Sequence, residues 1–83
     1  MIDPVQCRMA RGALGWSLQD LADRAAVGVA TVARFETEAS RPTRTTLLRL
    51  RRTFEEAGLI FIEQNGGGPG VRLRSSQRPG GEG

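Results

Sequence analysis

The stretch Ser17–Glu36, SLQDLADRAAVGVATVARFE, constrains this chain more than any other. Its apolar residues recur at helical spacing, first as Leu18, Leu21, Ala22 and Ala25, then as Val32 and Phe35, with Ala26-Val27-Gly28 between the two sets. The first helix is only about eight residues long, too short to persist alone in water, so it must be held by tertiary packing. Ser17 with Asp20 three residues on is a capping-box start whose carboxylate also suits the helix dipole. Gly28 suits a sharp bend and can cap the second helix, which runs from Val29 to about Thr37. That spacing turns Val32, Phe35 and Glu36 inward and leaves Val29, Ala30, Thr31 and Arg34 facing out.

The flanking sequence supplies the brace. Asp3, Pro4 and Gln6 form a second capping-box start, predicting a helix over Pro4–Leu14 with Val5, Met9, Ala10, Ala13 and Leu14 as its buried stripe and Gly15 as its C-cap. After the polar loop Glu38–Pro42, Thr43 caps a helix from about Arg44 to Ala57. Leu47, Leu50 and Phe54 face its core side, with Leu48 a further candidate, and Arg44, Arg49, Arg51 and Arg52 are solvated. Gly58 stops it. Leu59-Ile60-Phe61-Ile62 and Val71-Arg72-Leu73-Arg74 read as strands joined by the turn-rich Gln64–Gly70 connector, an antiparallel hairpin. Such a hairpin is marginal unless covered, either by this chain's helices or by a second copy. Ser75–Gly83 has nothing apolar to bury and is expected to be disordered. The expected fold is mainly α, four helices and then a short C-terminal β-hairpin, divided as 1–58, 59–74 and 75–83.

Composition narrows the function. The chain of 83 residues has no His, no Lys and no Tyr, which removes the commonest general base and most schemes for activating a nucleophile. An enzyme is not expected. The lone Cys7 reads as a free buried thiol, and no metal or cofactor is called for. No apolar run approaches the roughly 20 residues of a membrane span, and the N-terminus lacks a signal peptide's apolar core, so a cytoplasmic, nucleoid-associated protein is expected. All twelve basic residues are Arg, against nine acids. Residues 1–40 hold four Arg and five acids, residues 41–83 eight Arg and four acids, so the basic excess lies outside the two-helix unit.

Between Arg11 and Pro42 the sequence resembles the lambda-repressor-like, XRE or Cro-type helix-turn-helix regulators. Leu14, Gly15, Ser17, Leu21, Ala22, Val27, Thr31, Val32, Phe35 and Glu36 stand where that pattern wants them, and Pro42, Leu47 and Leu50 continue it. The resemblance implies that the second helix of the pair enters the major groove of double-stranded DNA while the first crosses the backbone. Gly28, Val29, Ala30, Thr31 and Arg34 would then face bases, with Arg34 able to donate two hydrogen bonds to a guanine edge. Arg34 has a competing role as a solvated residue paired with Glu38 at i+4. Ser17, Arg41 and Arg44 are phosphate candidates. The family also implies a partly buried, structural ion pair between Arg11 and Glu36. The chain departs from the pattern at Leu18, where a Gln is common, and at Gly28-Val29, where a polar residue is. Both changes remove hydrogen bonds to DNA and put more weight on indirect readout or a second subunit.

The function expected is a sequence-specific transcriptional regulator, of repressor type in the resemblance, binding a two-fold operator as a homodimer. Ile60, Phe61, Ile62, Val71 and Leu73 are the candidate dimerisation residues. The alternative is a helix-turn-helix-derived interaction module that regulates a protein partner.

Overall fold

Three of the four helices begin at a side chain that caps them, Asp3, Ser17 and Thr43. In the computed structural model, which describes residues 1–63 and 67–74, Asp3 accepts from the Gln6 amide and opens α1, Pro4–Leu14. Ser17 and Asp20 close a reciprocal capping box on α2, Leu18–Ala25. The backbone and hydroxyl hydrogen bonds from Ser17 hold the Asp20 carboxyl below its ordinary range. Gly28 precedes α3, Val29–Glu36, and Thr43 caps α4, Arg44–Glu56. Two antiparallel strands follow, β1 at Leu59–Ile62 and β2 at Gly70–Leu73, paired so that Leu59 faces Leu73 and Phe61 faces Val71. The second strand starts one residue earlier than its alternation indicates. The central part of the connector, Gln64–Gly66, and the tail Ser75–Gly83 lie outside the described residues.

One core joins all six elements. Leu21, Ala22, Ala25, Val32, Phe35, Leu47, Leu50 and Phe54 are buried together with Leu59 and Phe61 of the first strand. Phe54 links the layers, stacking on Trp16 with ring centroids 5.6 Å apart and meeting Phe61 at 6.1 Å. The hairpin is therefore covered in cis by this chain's own helices, and Arg74 donates to the Glu55 carbonyl at 2.8 Å, tying its far end to the last turn of α4.

Helix α1 buries a different face from the one its apolar residues mark. Gln6, Cys7 and Ala10 point inward, Leu14 is half-buried, and Ala13, Val5 and Met9 face out, the latter two 39% and 38% exposed. The reason is polar. The Gln6 side-chain amide donates to the carbonyls of Ile62 and Gly70 at 3.1 and 3.2 Å, while Cys7 and Arg11 reach the Glu36 carboxylate. A fixed rotation of α1 satisfies all of these at once, and leaving such groups unpaired would cost about 1–3 kcal/mol each. Leu48 of α4 is likewise 46% exposed rather than part of the core.

The bend between α2 and α3 is made by Ala26, not Gly28. Ala26 adopts φ +59° and ψ +46°, and its own and the next amide donate back to the last turn of α2. Gly28 has φ −71°, open to any residue. An L-residue in this left-handed conformation is strained by roughly 1–2 kcal/mol, part of which glycine gives back through its more flexible unfolded chain. Ala26→Gly should therefore stabilise the fold by about 1 kcal/mol, a rise of about 4–8 °C in melting temperature for a domain of this size. Thermal unfolding followed by circular dichroism reads this directly, and an unchanged or lower midpoint would contradict it.

Candidate nucleic-acid interface

Helix α3 divides cleanly into a held face and a bare one. Val32, Phe35 and Glu36 are buried, whereas Gly28, Val29, Ala30, Thr31 and Arg34 are exposed. No side chain caps its N-terminus, so the first-turn amides keep their capacity to donate to an external acceptor. Ser17 is exposed at the start of α2. Its oxygen accepts from the Asp20 amide. Arg41 and Arg44 are exposed after α3 and at the start of α4.

The held face ends in a concentrated polar node. Arg11 grips the Glu36 carboxylate with two parallel hydrogen bonds of 2.7 Å, from Nε and Nη2, and its Nη1 donates to the Trp16 carbonyl at 3.0 Å. The Cys7 thiol donates to the same carboxylate at 3.2 Å, and Arg8 donates to the Glu36 carbonyl. Burial, with the neighbouring carboxylate added, pushes the Cys7 thiol well up, so it is a neutral donor and not a thiolate. The Glu36 hydrogen bonds in turn raise Arg11 above its ordinary range. The end of α3 is thus fastened to α1 by fixed charge, at a site where the Glu36 side chain is only 5% exposed.

The arginines sort into two sets that their positions in the sequence do not distinguish. Arg8 and Arg11 serve the node, Arg24 lies over the Trp16 ring at 4.5 Å, Arg49 donates to the Ala26 carbonyl, and Arg51 bridges Glu55 and Glu63. Among the described residues Arg34, Arg41, Arg44 and Arg52 enter no salt bridge, and Glu38, the i+4 candidate partner of Arg34, adopts φ +64° and pairs with none of them. Sequence reasoning missed Arg49, whose bond at 3.2 Å props the strained turn between α2 and α3. No pattern flags it, because the acceptor is a backbone carbonyl.

A helix-turn-helix family model matches residues 8–57, more than half of the chain. The chain belongs to the lambda-repressor-like, XRE-type helix-turn-helix family. This is a family of DNA-binding regulators, and the match covers α1 from Arg8 onward through the end of α4. No curated protein matches at a significant level. Of the groups that could hold a metal ion, none occurs among the described residues, and no helix is long and apolar enough to cross a membrane. For the helix-turn-helix the node makes a sharp energetic demand: truncating Arg11 strands a buried carboxylate. Arg11→Ala should cost about 3 kcal/mol, the low end for a broken buried pair because the Arg11 side chain is 22% accessible. In denaturant unfolding, the loss on combining it with Glu36→Gln should fall short of the sum of the two single losses, and strict additivity would contradict the coupling.

Proposed function

We propose that this chain is a sequence-specific transcriptional regulator that binds a two-fold DNA operator as a homodimer, with α3 in the major groove. The observation that carries the reading is the bare face of α3, on which Arg34 stands among small side chains and, among the described residues, without a salt-bridge partner, while the opposite face is locked to α1. Arg34 reads a guanine edge, Thr31 meets a base or phosphate, and Val29 and Ala30 pack on thymine methyl groups. Ser17, Arg41 and Arg44 hold phosphates and set the register. With so few polar readers per copy, two copies on half-sites about 34 Å apart supply the affinity that one lacks.

The dimer surface follows from what the core leaves over. Leu59 and Phe61 are buried in cis, Val71 packs against them and Ile60 is half-buried, so Ile62 and Leu73 are the outward apolar residues of the hairpin. The hairpin on this reading both completes the core and joins two copies, in a cytoplasmic protein that works on the nucleoid.

Selection of bound sequences from random duplex DNA tests the function. A palindromic motif should emerge, and Arg34→Ala should weaken binding by about 1–3 kcal/mol and relax the choice at one position per half-site. Recovery of no sequence above background would overturn the reading in favour of a protein-interaction module. Leu73→Asp should convert the dimer to a folded monomer in size-exclusion chromatography with light scattering, and a monomeric wild-type chain would overturn the dimer.

A further inference from the structure

The outer side of α4 carries a groove that the proposed DNA contact touches only at its Arg44 end. It is a concavity of about 540 Å³ whose lining includes Met1, Arg44, Leu48, Arg51, Arg52 and Glu55. Arg44, Leu48, Arg51, Arg52 and Glu55 recur at the spacing that places residues on one side of a helix. Leu48 and Met1, both among the exposed large apolar residues, give the groove an apolar floor. Arg51 is already neutralised, by Glu55 at 2.9 Å and Glu63 at 3.5 Å, and is braced over the Phe61 ring. Arg44 and Arg52 enter no salt bridge among the described residues.

We propose that this groove docks an acidic, amphipathic peptide segment of a partner protein, a carboxylate on Arg52 and one apolar side chain on Leu48 and Met1. The charge decides the sign of the partner, and the planar guanidinium fork favours bidentate capture of carboxylates. The apolar floor decides its class. A duplex backbone offers sugars and phosphates and has nothing to place on an exposed leucine between two arginines, whereas a peptide alternating acidic and apolar side chains satisfies both. The chain's own C-terminal residues 75–83, SSQRPGGEG, contain no apolar side chain for the floor, and so lack one of the two requirements. The docking does not depend on α3, so a regulator held on DNA by α3 keeps this face free for a second protein.

The test is display of a random peptide library against the full chain, with Arg52→Glu and Leu48→Ser as counter-targets and thermal melts to establish that both variants are folded. Enriched peptides should carry a carboxylate and an apolar residue, and each variant should weaken their binding in fluorescence anisotropy by about tenfold or more. Binding of random duplex DNA, measured in parallel, should be unchanged by Leu48→Ser. Failure to enrich any peptide that depends on Arg52 would overturn the proposal. So would acidic peptides indifferent to Leu48, which mark a merely charged surface, or variants that weaken duplex binding instead, which mark a DNA surface. Self-association abolished by Leu48→Ser would reassign the groove to contact between copies.

Discussion

The bidentate bond between Arg11 and Glu36 is the contact on which the rest of the molecule depends. Two parallel hydrogen bonds of 2.7 Å hold a carboxylate that is otherwise out of reach of water. A pair of this kind contributes little net stability against an apolar replacement, because desolvation offsets much of the attraction. What it supplies is direction. A short α3 packed only through Val32 and Phe35 could roll about its axis. The added contacts from Cys7 and Arg8 to the same residue fix which side of α3 faces out.

Helix α1 has a second duty at its other end. Gln6 is at once the third residue of a capping box and the donor to two strand carbonyls, so the start of α1 and the hairpin are pinned together. One rigid helix therefore spans from the base of α3 to the hairpin. If two copies meet through the hairpin, the distance between their reading helices is set by this single element, which is what a fixed half-site spacing requires.

Much of this was legible in the residues. The starts of α1, α2 and α4 follow from Asp3, Ser17 and Thr43, because local capping chemistry is written within four residues. The outward set on α3 follows from helical spacing, and the Arg11–Glu36 pair from family resemblance. The face of α1 was not legible, because periodicity weighs apolar side chains, and here polar ones chose the rotation by meeting carbonyls some 56 and 64 residues away. Nor was Ala26: glycine is the usual residue at positive φ, but the bonds closing α2 hold an alanine there. The division of the arginines into committed and uncommitted was hidden for the same reason, since it rests on tertiary partners such as the Ala26 carbonyl and the Trp16 ring.

With DNA against one face of α3, as proposed, the hairpin and the outer side of α4 beyond Arg44 are left to other contacts. Titration of the isotope-labelled chain with its selected duplex, followed residue by residue through amide chemical shifts, tests this most directly. The largest changes should fall on Gly28–Thr31, Arg34 and the Arg41–Arg44 region, with Leu48–Glu55 little affected. Changes centred on α4 or the hairpin, with the α3 amides unmoved, would contradict it.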